Sequence, residues 1–186
     1  MGQAGQLVTC IVGIAEGGRV WMGGDSAGMI GWTRYVITRP KVVHRTGMLI
    51  GHCGTPRLLQ IAETLPVAYL GGDPFRFVVD VFVPALQTAI KAADFNWLIE
   101  ENDSSCLMIG LSGALFTVCN QYSVDTYADG LCTLGARDMA LGALAALEDM
   151  EPEARIRQVL IICGQRGGGV APPYYVETLT TESENG

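Results

Sequence analysis

The sequence predicts an α+β fold in which two antiparallel sheets lie between helix layers, a four-layer αββα sandwich. Apolar runs of strand length occur in pairs joined by glycine-containing turns, and segments with helical spacing also occur in pairs. Strand pairs and helix pairs alternate along the chain, which is the pattern that stacked layers require. The 186 residues are enough for one domain with a sizeable core, which we place at residues 9–179.

The first strand pair is predicted at residues 9–15 and 19–24, with a turn at residues 16–18. This hairpin brings Asp25 back beside Thr9. The following segment is broken by glycines and ends at Lys41, and one further reversal would place Lys41 at the same end of the sheet.

Thr9, Asp25 and Lys41 together form a candidate catalytic site. A threonine hydroxyl is a weak nucleophile that needs an adjacent base, and the threonine's own α-amine serves as one when it is free, because it titrates near pH ~8. A lysine ammonium favours the oxyanion form of the hydroxyl, and a carboxylate holds that lysine in place. We therefore predict Thr9 as nucleophile and base, Lys41 as activator and Asp25 as the residue that orients it.

The remaining elements are predicted from periodicity and from helix signals. A buried strand at residues 48–54 ends in glycine, and Thr55-Pro56 begins a helix that Pro66 stops. Asp73-Pro74 begins another helix with a kink at Pro84. The later elements are a solvated loop at 100–105, a hairpin at 106–111 and 114–118, extensions of the same sheet at 121–124 and 127–134, helices at 139–147 and 152–163, a final strand at 174–179 and a disordered acidic tail at 180–186.

Composition excludes several classes of protein. The net charge of −7 and the scattered basic residues argue against nucleic-acid binding, and the apolar stretch at 81–90 is too short to span a membrane. Six cysteines without a Cys-x-x-Cys pair, and only His44 and His52 beside them, predict no metal and no cofactor. Most of the cysteines lie in apolar runs as small hydrophobic side chains, so we expect a cytoplasmic protein.

Four segments resemble one known family. Thr9-Cys10-Ile11-Val12-Gly13, Gly23-Gly24-Asp25-Ser26, Lys41-Val42 and Gly51-His52-Cys53-Gly54 are similar to β-type subunits of the proteasome and to the peptidase subunit of the bacterial ATP-dependent two-component protease. Both are N-terminal nucleophile (Ntn) hydrolases. The resemblance covers most of the chain and is strongest in its first third. Gly-Gly-Asp-Ser-Ala-Gly, at residues 23–28, is similar to small proteasome-like proteins of bacteria and phages.

The resemblance implies a threonine-type endopeptidase of the Ntn-hydrolase fold, assembled into a homo-oligomeric ring that cleaves peptides or unfolded proteins through an acyl-enzyme on Thr9. It also implies a ring-shaped ATP-dependent unfoldase as partner. The backbone N–H of Gly54 would donate to the oxyanion, although a glycine required only for a tight turn fits equally well. Met29, which follows Asp25 on the expected cleft wall, indicates an apolar substrate preference.

The amine of Thr9 acts only after residues 1–8 are removed. The resemblance implies autocatalytic processing, but the preceding residue is the β-branched Val8 where the family commonly has glycine. Two hypotheses stay open: self-cleavage between Val8 and Thr9, or Val8 as the true initiator, trimmed after translation. Cys10 is the rival nucleophile, but its spacings to Asp25 and Lys41 each differ by one residue from those of Thr9. Its side chain also points to the opposite face of the strand, so we predict that Cys10 belongs to the core.

Two departures from the family pattern motivate alternative functions. The pattern has Gly-Ser-Gly before the penultimate helix, where this chain has Gly135-Ala136-Arg137. It has an aspartate and Ser-Gly-Gly after the last helix, where this chain has glycines at 167–169. The alternatives are a catalytically silent assembly protein and an Ntn amidohydrolase that acts on small amides.

Overall fold

The computed structural model describes residues 9–30, 33–95, 97 and 105–180. Its strands are β1 Cys10–Glu16, β2 Arg19–Gly24, β3 Ala27–Ile30, β4 Thr33–Val36, β5 Val42–Arg45, β6 Met48–Cys53, β7 Cys106–Leu111, β8 Ala114–Val118, β9 Val124–Thr126, β10 Leu131–Gly135 and β11 Tyr175–Thr180. Its α-helices are α1 Pro56–Ala62, α2 Pro74–Phe77, α3 Val83–Ala92, α4 Arg137–Ala146 and α5 Pro152–Arg166. The fold is therefore of the predicted α+β class.

The strands form two larger antiparallel sheets and one hairpin. One sheet has the order β10-β1-β2-β11 and the other the order β5-β6-β7-β8-β9, while β3 and β4 pair with each other. The predicted first hairpin is confirmed, with Ile11 opposite Gly24. The second predicted hairpin is also confirmed, with Leu107 opposite Val118.

Three clusters of buried side chains hold the elements together. One joins β6, β7 and β8 to α1 and α3, and includes Ile50 and Leu86. A second joins β1 to α4 and α5, and a third, around Met22, lies between the two larger sheets. Because side chains alternate along a strand, β1 sends Val12 toward the helices and Ile11 toward the other sheet.

Some predicted boundaries were wrong. The segment at 127–134 does not extend the second sheet: β10 crosses to the first sheet, where it pairs with β1. Helix α1 ends at Ala62, before Pro66. The helical segment that begins at Pro74 contains a π-helical turn at Val78–Phe82, between α2 and α3 and just before Pro84. Thr180 ends β11, so it does not belong to the tail.

Ser105, predicted in a solvated loop, is instead fully buried, immediately before β7. The predictions for residues 1–8, for the loop at 100–104 and for the tail at 181–186 lie outside the described residues.

Cysteine pairing also differs from the expectation of small hydrophobic thiols. Cys106 and Cys119, at facing ends of β7 and β8, form a disulfide. The other four cysteines are buried, at positions 10, 53, 132 and 163. Within the part of the chain that the structure describes, no helix is both long and apolar enough to cross a membrane.

Candidate active site

Thr9 lies just before β1, on the face of the strand that Ile11 continues between the two sheets. Only 6% of it is exposed. Its carbonyl oxygen accepts a hydrogen bond of 2.9 Å from the N–H of Ala136, which fixes the backbone of Thr9 against the turn between β10 and α4. Gly135 makes this close approach feasible: its φ is +77°, and a Cβ there would overlap the Thr9 carbonyl oxygen.

Asp25 follows β2 and is completely buried. One carboxylate oxygen, Oδ1, accepts from the Cys10 N–H at 3.0 Å and from Lys41 Nζ at 2.8 Å. The other oxygen, Oδ2, accepts from the Ala27 N–H at 2.7 Å and the Ala171 N–H at 3.2 Å. This carboxylate thus ties together β1, the start of β3 and the segment that follows α5.

Lys41 lies immediately before β5, and 4% of it is exposed. Its Nζ donates to Thr9 Oγ1 at 3.1 Å as well as to Asp25 Oδ1. Burial lowers the pKa of Lys41, and the charge of Asp25 and its hydrogen bond oppose that effect. The lysine backbone is held by His52, whose N–H donates to the Lys41 carbonyl at 3.1 Å.

The structure brings Thr9, Asp25 and Lys41 together as the sequence predicts. The described hydrogen bonds of these three residues do not include the other two candidates, Gly54 and Met29. Gly54 follows β6 directly and has a φ of +84°, and its N–H role toward an oxyanion stays a prediction. A Cβ on Gly54 would overlap the side chain of Ser105, so the turn requires glycine for packing in any case. Met29 lies half-buried on β3, and its contact with substrate also stays a prediction.

Cys10, the rival nucleophile, has no exposed surface and packs against α4 and α5. A hydrogen bond to Cys163, together with burial, raises the pKa of the Cys10 thiol. A thiol held in its protonated form is a poor nucleophile. The geometry therefore favours Thr9 over Cys10.

Sequence reasoning did not predict the roles of four residues of the site, although it noted Ala136 as a departure from the family pattern. Ala136 and Ala171 act through their backbone N–H groups, so their side chains carry no chemical signal. The hydroxyl oxygen of Ser105 accepts from the Thr55 N–H at 2.9 Å and so anchors the turn at Gly54. His52 was considered only as a possible metal ligand and as part of a segment that carries the family resemblance.

This arrangement offers a buried ammonium aimed at a threonine hydroxyl and a carboxylate that compensates its charge. Such a pair stabilises negative charge on the hydroxyl oxygen without a metal ion. Among residues 9–30, 33–95, 97 and 105–180, no group of three or more His, Cys, Asp or Glu side chains could hold a metal.

Comparison with known proteins identifies the fold. The sequence matches no family model and no curated protein. Its structure is similar to BPH from Thiobacillus denitrificans in complex with epoxomicin, with a TM-score of 0.74, 15% identity, and coverage of 93% of this chain and 100% of that one. For HslV from Trypanosoma brucei the TM-score is 0.65, the identity is 20%, and coverage is 93% and 100%.

A third similar structure is the helical assembly of the Anbu complex from Pseudomonas aeruginosa. Its TM-score is 0.67, with 13% identity and coverage of 94% of this chain and 82% of that one. All three similarities extend over almost the whole of this chain at low identity. The chain therefore has the proteasome β-type, Ntn-like fold.

Proposed function

We propose that this protein is a threonine-type endopeptidase whose nucleophile is the hydroxyl of Thr9 and whose base is the freed α-amine of the same residue. The observation that carries the proposal is the buried contact of Lys41 Nζ with Thr9 Oγ1, at 3.1 Å, and with Asp25 Oδ1, at 2.8 Å. A buried ammonium is costly unless it is paired and hydrogen-bonded. Its position against a threonine hydroxyl has a direct chemical use.

The proposed reaction begins when residues 1–8 are removed and the α-amine takes the proton of Thr9 Oγ1. The oxygen forms a bond to the substrate carbonyl carbon, and the N–H of Gly54 donates to the resulting oxyanion. The C–N bond then breaks, and the amine product leaves with the proton that the α-amine returns. In the second half of the reaction the α-amine takes a proton from water, and the water oxygen forms a bond to the acyl carbon. The C–Oγ1 bond of the Thr9 ester then breaks, and Oγ1 regains the proton from the α-ammonium. The ammonium of Lys41 stabilises negative charge on Oγ1 both when it attacks and when it leaves.

We extend the proposal to assembly. Residues 9–179 would form one domain with its sheets between helix layers, and copies would associate into a homo-oligomeric ring in the cytoplasm. Large apolar side chains on the hairpin of β3 and β4 are exposed, including 73% of Ile30 and 57% of Val36, which suits a surface that packs against another copy. The Anbu structure is itself an assembly. An ATP-dependent unfoldase would supply unfolded chains.

The test compares the full chain with a form that begins at Thr9, released from a cleavable fusion. Intact mass shows whether residues 1–8 are lost, and fluorogenic peptides report hydrolysis. We expect activity in any form with a free Thr9, and its loss in Thr9→Ala and Lys41→Ala. Thr117→Ala is the matched control, because Thr117 is equally buried and also makes a side-chain hydrogen bond, but lies on β8. A folded, trimmed protein that hydrolyses no peptide contradicts the proposal.

A catalytically silent assembly protein is the second candidate. It is favoured by Ala136, whose methyl group stands where the resembling family has a serine, and by the glycines at 167–169 that replace an aspartate and a serine. A correctly trimmed, assembled protein without hydrolysis would support it. Hydrolysis of small amides but not of peptides would instead support an amidohydrolase.

A further inference from the structure

Three cysteines stand side by side across three neighbouring strands of the five-stranded sheet. Cys53, the last residue of β6, lies directly opposite Cys106, the first residue of β7. Cys106 in turn forms the disulfide with Cys119, which follows β8. Because these strands are ordered β6-β7-β8, Cys106 lies in the middle, with Cys53 on one side and Cys119 on the other.

The distance between Cys53 and Cys106 suits a second possible disulfide. Both side chains face the space between the two larger sheets, where Cys53 belongs to the buried cluster around Met22 and Cys106 packs against it. Directly opposite residues on one face of an antiparallel pair have Cβ atoms about 4.5–5.5 Å apart and Cα atoms at most about 5.5 Å apart. A disulfide accommodates Cα separations of about 4.4–6.8 Å, so Cys53 can bond to Cys106 without a change in strand register.

The order of the three sulfur atoms suits an exchange reaction. A thiolate displaces one sulfur of a disulfide by attacking the other sulfur from the side opposite to the leaving group. Cys53 and Cys119 flank Cys106 on opposite sides, which is the arrangement that this displacement requires. Cys132 faces the same space from β10, but burial raises the pKa of its thiol to about 12, which makes it a poor competitor for the attack.

The two strand ends that Cys53 and Cys106 occupy also form the turn at Gly54. Cys53 immediately precedes Gly54, and Ser105 immediately precedes Cys106. The Ser105 hydroxyl oxygen accepts from the Thr55 N–H at 2.9 Å, and a Cβ on Gly54 would overlap the Ser105 side chain. A bond between Cys53 and Cys106 would therefore act on the same two chain segments that hold the proposed oxyanion donor.

Cys53 is also linked to the candidate site by charge. Burial lowers the pKa of Lys41, and the negative charges of Asp25, Cys10 and Cys53 oppose that effect. A disulfide sulfur carries no charge, so bonding Cys53 to Cys106 removes one of these contributions.

We propose that Cys53, Cys106 and Cys119 form a thiol–disulfide exchange site, in which the sulfur of Cys53 displaces Cys119 from Cys106. Cys53 gives its proton to water, and its thiolate forms a bond to Cys106 Sγ. The bond between Cys106 and Cys119 breaks, and Cys119 keeps the electron pair as a thiolate, so this step involves no net oxidation.

A small disulfide such as glutathione disulfide then captures the exchanged form. Cys119 is half-buried, and its thiolate attacks one sulfur of glutathione disulfide. One glutathione stays bonded to Cys119, which is thereby oxidised, and the other leaves as a thiolate and takes up a proton. The cross-link now joins β6 to β7 instead of β7 to β8, and we expect the turn at Gly54 to shift and peptide hydrolysis to slow. This effect on hydrolysis rests on the proposed peptidase activity of Thr9, whereas the exchange itself does not.

The first experiment maps the disulfides of the full chain. The protein is incubated with glutathione disulfide at mildly alkaline pH, the remaining thiols are blocked with N-ethylmaleimide, and the peptides are identified by mass spectrometry. In the parent we expect Cys53 bonded to Cys106 and glutathione on Cys119. A Cys53→Ser variant should keep the disulfide of Cys106 and Cys119 and take up no glutathione there, because the attacking sulfur is absent. Cys132→Ser is the matched control: Cys132 is buried in the same space but lies on β10, so this variant should exchange as the parent does.

The second experiment measures hydrolysis of a fluorogenic peptide by the trimmed protein before and after the same treatment. We expect kcat/KM of the exchanged form to be about tenfold lower than that of the untreated form, because a shifted turn no longer aims its N–H at the oxyanion. Trimmed Cys53→Ser should hydrolyse the peptide at its own untreated rate after incubation with glutathione disulfide.

The outcomes separate the two proposals. If the parent keeps the disulfide of Cys106 and Cys119, or if Cys53→Ser takes up glutathione at Cys119 as readily as the parent, the exchange site is overturned and the peptidase is untouched. Exchange that leaves hydrolysis unchanged overturns the effect on the turn at Gly54. If the untreated trimmed protein hydrolyses no peptide, the peptidase is overturned, and the disulfide map alone decides whether the exchange site exists.

Discussion

The two sides of Thr9 are built in different ways. On one side Asp25 accepts four hydrogen bonds and Lys41 bridges it to the threonine hydroxyl, so charge and position are specified by side chains. On the other side, at the turn between β10 and α4, the described contact to Thr9 is the backbone N–H of Ala136. The electrostatic side of the site is therefore built from charged side chains, whereas the described contact at the turn before α4 is made by the backbone.

The largest expected effect comes from Asp25→Asn, which removes the carboxylate that pairs with Lys41. The amide cannot compensate the Lys41 charge, and one of its two polar atoms becomes a donor facing N–H groups. We expect a loss of about 3–5 kcal/mol in the free energy of unfolding and at least a ~100-fold fall in peptide hydrolysis. Urea denaturation and fluorogenic peptides measure the two effects.

The matched control is Asp80→Asn, since Asp80 also forms an ion pair, with Arg76, but is 46% exposed. An exposed pair of this kind contributes less than about 1 kcal/mol. Equal losses in the two variants would contradict the importance of the buried pair.

The second largest expected effect concerns the turn between β10 and α4, on the other side of Thr9. Gly135→Ala places a Cβ against the Thr9 carbonyl oxygen at a φ of +77°, so either Thr9 or the turn must move. We expect about 3 kcal/mol of destabilisation and loss of hydrolysis.

Gly142→Ala, in open space on α4, should instead stabilise the protein by roughly 0.5–1 kcal/mol. Thermal denaturation and peptide hydrolysis distinguish the two variants. An active Gly135→Ala protein of parental stability would show that this turn does not position Thr9.

The third prediction concerns the pH dependence of stability that arises from His52, whose ring lies against the carbonyl oxygen of Lys41. The folded-state pKa of His52 is lowered to about 4 from 6.5, so the unfolded chain binds more protons between these values. The stabilising effect of the neutral ring is present above pH ~6.5 and is lost as the pH falls toward 4. The difference corresponds to about 3 kcal/mol.

Urea denaturation at pH 7 and at pH 4 measures the change in the free energy of unfolding with pH. The measurement is made on the parent protein and on two histidine variants. The His52→Phe variant should lose less stability on acidification than the parent, whereas His44→Phe, which changes an exposed ring on β5, should behave like the parent. A His52→Phe slope equal to the parental slope would contradict the prediction.

The electrostatic side of the site was predictable from the sequence, because it depends on local hairpin geometry. A strand, a glycine turn and a returning strand place Asp25 beside Thr9, and the register of β1 and β2 confirms that step. The choice between Thr9 and Cys10 also followed from strand geometry. Neighbouring residues of a strand point to opposite faces, and Cys10 packs against α4 and α5 while Ile11 lies between the sheets.

The other side was not predictable in this way. The position of β10 depends on a crossover between sheets, which no local pattern encodes, and the prediction kept that segment in the wrong sheet. The N–H of Ala171, 146 residues from Asp25, reaches the carboxylate through the packing of α5. Ser105 looked like a loop residue because its neighbours are polar, and its burial follows from the turn at Gly54.

The smallest expected effect comes from adding a hydroxyl group to the turn between β10 and α4. Ala136→Ser adds a hydroxyl to the residue whose N–H already holds the Thr9 carbonyl, and the prediction is that this hydroxyl shares a proton with the freed amine. We expect kcat/KM for the preferred peptide to rise by about tenfold, equivalent to ~1.4 kcal/mol of transition-state stabilisation. Ala140→Ser is the control, because Ala140 is as buried but lies one turn further along α4. If neither variant is faster than the parent, the missing serine is not what limits this site.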